Sequence, residues 1–188
     1  MTQLERAFLD LTRYLDQLSL PYVVGGSFAS STFGIPRSTL NVDLVVDLTP
    51  DQAFQLATIT ASDFAVDPDH ARQAVASNRS FNLLHMTAVY KFDIFPATFF
   101  LHGAQQISRR IFVEGTALAQ AELVPILSAE DVLLAKLAWY RLGGETSDRQ
   151  WSDLQGIWQM QQDNLDRLYL QSWAKKMKTT DLLERLSG

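Results

Sequence analysis

At 188 residues, 47% of them hydrophobic, the chain is long enough to bury a core and too apolar to be disordered. It has no cysteine, which excludes disulfides and thiolate metal sites and suits a reducing cytoplasm. Its formal net charge of -5 argues against a nucleic-acid binder that works by bulk attraction. The charged residues Glu5, Arg6, Asp10, Arg13 and Asp16 exclude a secretory leader, and no run reaches the length of a membrane span. The expected location is cytoplasmic.

The elements follow in chain order. Leu4, Phe8, Leu11, Leu15 and Leu18 recur at helical spacing, predicting an amphipathic helix over 3–18 that Leu20-Pro21 ends. Tyr22-Val23-Val24 reads as a short buried strand running into Gly25-Gly26, with Ser27 placed to cap a helix over about 28–33. Gly34 and Pro36 stop that helix. Val42 to Leu48 is an apolar strand interrupted by acids, and Thr49-Pro50-Asp51 starts a helix that runs through Ile59. Asp67-Pro68 opens another short helix. A hairpin follows, with arms Phe81–Met86 and Val89–Phe95 and a tight turn near Thr87-Ala88. Short strands are expected around Ile111–Val113 and Leu123–Leu127. From Ser128 the chain is helical, with a capping-box-like start at Ser128–Asp131, a stop at Gly143-Gly144, and further helices from about Ser147, Leu165 and Asp181.

Asn41 and Asp43 are the central pair. Positions i and i+2 of a strand share a face, so both point the same way. With Asp93 on a neighbouring arm, they form a candidate cage for a divalent metal. The Gly25-Gly26-Ser27 turn at a helix start offers backbone N–H groups and a hydroxyl to phosphate oxygens. An anion cradle beside a metal cage is the combination that phosphoryl transfer needs. Lys136 falls on an otherwise apolar helical face, where a charge is costly unless paired, which favours a role facing the site. Arg37 can position phosphate or pair with an acid. Asp153 is expected to order the helical tail.

Other features read as structural. His70, His85 and His102 lack metal-ligand spacing, and the Trp151, Leu154, Trp158 stripe reads as core. The stretches Arg109-Arg110 and Lys175-Lys176-Met177-Lys178 read as solvated surface. No serine sits in a G-x-S-x-G elbow.

Gly25-Gly26-Ser27, Gly34-Ile35-Pro36-Arg37-Ser38-Thr39 and Asn41-Val42-Asp43 together resemble the signature of the minimal nucleotidyltransferases of the polymerase-β superfamily. The stretches from Ser128 to Lys136, from Trp139 to Glu145 and from Arg149 to Asp153 resemble a bacterial branch related to abortive-infection toxin nucleotidyltransferases. The resemblance covers about Tyr22 to Trp158. It implies an α+β fold, a mixed sheet flanked by helices with a C-terminal helical extension. Residues 1–127 would form the core and 128–188 the extension packed on it.

The resemblance also implies Mg²⁺ or Mn²⁺ on Asp43 and Asp93, with Asp93 helping to deprotonate a hydroxyl acceptor. A nucleoside triphosphate would be held by Gly25, Gly26, Ser27, Arg37 and Lys136. The family's first acid, which touches both metals, is Asn41 here, a weaker ligand because its oxygen is neutral. That departure keeps a second expectation open: an inactive member acting as a binding or antitoxin-like module for a protein partner.

Overall fold

The computed structural model describes residues 1–36, 39 and 41–188. Nine helices occur among the described residues: α1 (Gln3–Gln17), α2 (Gly26–Phe33), α3 (Pro50–Ile59), α4 (Pro68–Ala76), α5 (Gly103–Ser108), α6 (Ala129–Leu142), α7 (Asp148–Gln161), α8 (Arg167–Lys176) and α9 (Thr180–Ser187). The strands are β1 (Tyr22–Val24), β2 (Asn41–Val46), β3 (Phe64–Ala65), β4 (Phe81–His85), β5 (Lys91–Pro96), β6 (Ile111–Val113) and β7 (Val124–Ile126). They form one sheet of order β3-β4-β5-β2-β1-β7-β6. The β2–β5 and β1–β7 pairs are parallel and the other pairs antiparallel, so the sheet is mixed and the architecture is α+β, as expected.

Local chemistry sets the helix starts. Thr2 with Glu5 and Thr49 with Gln52 form complete capping boxes, and Pro50 and Pro68 occupy first-turn positions where a missing N–H is no loss. Ser128 caps α6 by accepting from the Asp131 N–H at 3.3 Å. The Asp131 carboxylate does not complete that box. It takes the Tyr169 hydroxyl at 2.7 Å instead and ties α8 to the start of α6.

Two expectations need correction. Ser27 does not cap α2: the helix begins at Gly26, Gly25 is its N-cap, and no side chain serves as cap. The hairpin turn is also longer than two residues. Its arms stop at His85 and resume at Lys91, because His85 Nδ1 accepts the Ala88 N–H at 3.0 Å and Val89 takes a positive φ of 57°. Three elements were not foreseen: two-residue β3, the 3-10 turn at Ala97–Phe99, and α5, each too short to show a periodicity.

The core is one cluster spanning every strand except β6 and every helix except the shortest turn. Val42, Leu44 and Val46 from β2, with Phe92 and Ile94 from β5, are essentially fully buried in it. Leu154 and Trp158 join them, with Trp151 packed alongside, so that stripe is core. Helix α6 packs on α2, α7 and α8, which brings the C-terminal helices against the helix that follows β1.

Candidate functional site

The parallel register of β2 and β5 builds the site. Asp43 is directly opposite Asp93, and Asn41 opposite Lys91. Neighbouring strands lie about 4.8 Å apart, so these four side chains share one small patch on the face away from Val42 and Leu44. β1 lies antiparallel on the other side of β2, with Val24 opposite Leu44. The chain leaving β1 therefore turns beside Asp43: the Gly25 N–H donates to the Asp43 carbonyl at 2.8 Å. The Ser27 N–H, in the first turn of α2, donates to the Asp43 carboxylate.

Gly26 has no substitute at this turn. Its φ is +55°, and a β-carbon on it would lie 1.7 Å from Asp43 Oδ2. The glycine lets the α2 start close over the carboxylate.

The second wall comes from α6 and α7. Val132, Ala135, Lys136 and Trp139 recur along one face of α6, and Ser147, Arg149, Gln150 and Asp153 open α7. Together with Gly25, Gly26, Ser27, Asp43, Phe95 and Phe100 they line a cleft of about 420 Å³. Lys136 Nζ donates to Asp153 Oδ2 at 2.8 Å, each side chain being 12% exposed. Asp153, expected only to order the tail, thus reaches into the cleft and holds the lysine. Phe95, Phe99, Phe100 and Trp139 form an aromatic cluster, with Phe99 stacked on Trp139 at 5.8 Å between centroids.

The electrostatics of the patch are strained. The Asp43 carboxyl is pushed up to about 6, first by burial and then by the charge of Asp93, against the opposing pull of Lys91, Lys136 and the Ser27 N–H. Lys91 Nζ pairs with Asp93 Oδ1 at 3.0 Å. Lys91 escaped the sequence reading because nothing local announces it; only register sets it across from Asn41.

The sequence-derived candidates sort as follows. Asn41, Asp43 and Asp93 share one face of the sheet; of the three, Asp43 lines the cleft, together with Gly25, Gly26, Ser27 and Lys136. Arg37 lies outside the described residues. Of the histidines, His70 is exposed, His85 is buried against Asp10 at 3.3 Å, and His102 is buried behind the cleft beside Gln106.

No protein-family model matches the sequence, and no curated protein of known function does. Solved structures do match over nearly the whole chain. An antigenic nucleotidyltransferase-like protein from Paracoccidioides brasiliensis superposes with a TM-score of 0.58 at 18% identity, over 98% of this chain and 92% of that one. The fold is that of the nucleotidyltransferases. ANT(2'')-Ia, solved in complex with adenylyl-2''-tobramycin, aligns with a TM-score of 0.55 at 12% identity over 94% of this chain and 98% of its own. The lincosamide antibiotic adenylyltransferase LnuA, solved with lincomycin, reaches 0.50 at 10% identity over 81% of this chain and 94% of its own.

A nucleotidyltransferase fold implies divalent cations, and the residues present fit one. Two carboxylates stand side by side on paired strands, one disfavoured by burial and by its neighbour, and a dication between them would relieve both penalties. All the donors are oxygens, which suits Mg²⁺ or Mn²⁺. A second dication fits poorly: the first position of the acidic pair is the neutral Asn41, and Lys91 already brings a positive charge across from it. Among the described residues no group of three or more His, Cys, Asp or Glu side chains could hold a metal.

Proposed function

We propose that this protein binds a nucleoside triphosphate through a single divalent cation and transfers its nucleotidyl group slowly to a hydroxyl acceptor. The observation that carries the reading is the Asp43–Asp93 pair in register, closed over by the Gly26 turn. The solved neighbour named as an adenylyltransferase, and the one solved with an adenylylated antibiotic, support nucleotidyl as the group moved. Asp43 and Asp93 would hold the cation, which would neutralise phosphate charge in the complex.

The positive end of α2, which begins at Gly26, attracts the phosphates, and Lys136, steadied by Asp153, adds a positive charge from the opposite wall. Asp93 accepts the proton of the attacking hydroxyl. The new oxygen–phosphorus bond forms at the α-phosphate as the bond to pyrophosphate breaks, and pyrophosphate leaves. Asn41 slows the step because it brings a neutral oxygen where the resembled family's motif has a charged carboxylate.

Lys91 favours a second reading. By pairing with Asp93 opposite Asn41, it makes the patch stable without metal, as suits an inactive binding module for a protein partner.

Calorimetric titration with ATP in Mg²⁺ and in chelator tests the first reading. Binding that needs Mg²⁺ and is lost in Asp43→Asn supports it. Tight binding in chelator, or none at millimolar Mg²⁺, removes it and leaves the binding module.

A further inference from the structure

We infer that β6 is a homodimer interface: it pairs antiparallel with the same strand of a second copy of this chain, about a two-fold axis at Phe112. The inference does not depend on a nucleotide occupying the cleft.

β6 ends the sheet order, and among the described residues no strand lies beyond it. One contact fixes which of its backbone groups face outward. The Leu127 N–H donates to the Val24 carbonyl at 2.9 Å, so Leu127 and Pro125 turn their backbone groups toward β1. By alternation Ile126 and Val124 turn theirs toward β6, where they meet Ile111 and Val113. Phe112, opposite Pro125, therefore directs its N–H and carbonyl to the open edge. Pro125 has no N–H to offer, which agrees with that arrangement.

Natural sheets blunt such edges with lysine, proline or a bulge. Here Ile111 and Phe112 are 38% and 56% exposed, and Leu123, 57% exposed, lines the same groove as Arg110 and Phe112. The flanking charges say what covers this edge. Laid antiparallel on itself about Phe112, the segment Arg110-Ile111-Phe112-Val113-Glu114 sets Arg110 opposite the partner's Glu114 at both ends. Phe112 meets its own copy, and Ile111 meets the partner's Val113. Arg110 lies over the Phe112 ring at 5.6 Å while its Nη1 donates to the Ile107 carbonyl at 2.5 Å, so it shares the Phe112 face. Two ion pairs thus flank the aromatic pair on one face. Outward residues must oppose outward residues, and a slip of two positions either way sets Phe112 against Arg110 or Glu114 instead. The edge is complementary to itself.

Sedimentation of the whole chain over about 5–200 µM should show a reversible monomer–dimer equilibrium, weak because so short a ladder buries less than a standard interface. Arg110→Glu and Glu114→Arg each oppose like charges at both ends. Each should weaken the dimer by about ten-fold or more without lowering the melting temperature. Mixed in equal amounts, the two variants should dimerise about as well as wild type, because each supplies the charge the other lacks. The chain has no cysteine, so Phe112→Cys gives an independent readout. Directly paired α-carbons lie about 5.5 Å apart, within disulfide range, and mild oxidation should link this variant to itself. Leu168→Cys, exposed on α8, should link far more slowly. A wild type that stays monomeric throughout overturns the inference. So does a dimer that both charge variants leave intact, a mixture no more associated than its components, or a Phe112→Cys protein that links no faster than Leu168→Cys.

Discussion

The two faces of the β2–β5 ladder are made by the same twelve residues and obey opposite rules. On one face Val42, Leu44, Val46, Phe92 and Ile94 are sealed in the core, where each buried methylene contributes to stability. On the other, Asn41, Asp43, Lys91 and Asp93 crowd like and unlike charges into one patch, and burial raises Asp43 toward its neutral form. One face holds the sheet together. The other carries a charged patch in which burial disfavours the ionised Asp43 while Lys91 pairs with Asp93.

Substitutions on the two faces should therefore part company. Leu44→Ala, at a fully buried position, should cost about 4 kcal/mol and lower the melting temperature by roughly 10 °C, with or without Mg²⁺. Asp43→Asn, one residue away, should melt no lower than wild type in chelator but lose any gain from Mg²⁺. Thermal melts of both proteins in the two buffers check the contrast, and an equal loss in both would erase the distinction between the faces.

Behind the cleft, His102 supplies a pH test. Its folded pKa is pushed down to about 4 from an ordinary 6.5, so between those values the unfolded chain binds a proton that the native chain refuses. Its contribution is complete above pH 6.5 and declines as pH falls toward 4, by up to about 3 kcal/mol. In urea denaturation at pH 7, 5.5 and 4.5, His102→Gln should lose stability less steeply than wild type. Parallel curves would mean that the histidine is not kept neutral.

Gly26→Ala should cost about 2 kcal/mol through its left-handed backbone and should displace the Asp43 carboxylate, so nucleotide binding falls further than stability does. Calorimetry beside a melt separates the two effects. A protein that keeps its affinity would show that Asp43 can move aside without consequence.

The smallest expected effect is at Asn41→Asp, which adds a like charge to the Asp43 face. In chelator it should melt lower than wild type by a degree or two, since exposed like charges repel by less than about 1 kcal/mol. Added Mg²⁺ should raise its melting temperature more than that of wild type, because a ligand that binds only the native state stabilises it by mass action. Identical Mg²⁺ responses would mean that position 41 does not face a cation.

Much of this molecule is determined locally and can be read without coordinates. Helix starts at Thr2, Thr49, Asp67 and Ser128 follow from side chains that satisfy nearby N–H groups, and the alternation from Asn41 to Val46 follows from strand geometry. That was enough to single out Asp43 beside a Gly-Gly-Ser turn. It did not reveal that α2 starts at Gly26 rather than beyond Ser27, because no side chain marks that cap. Three further features exist only in the tertiary structure: Lys91 across from Asn41, Asp153 on Lys136, and the buried contact between Gln106 and His102. Each depends on which strands pair in which register, or on which helices close the cleft. Register and packing are decided by burial summed over the whole sheet, a quantity that no short window of sequence contains.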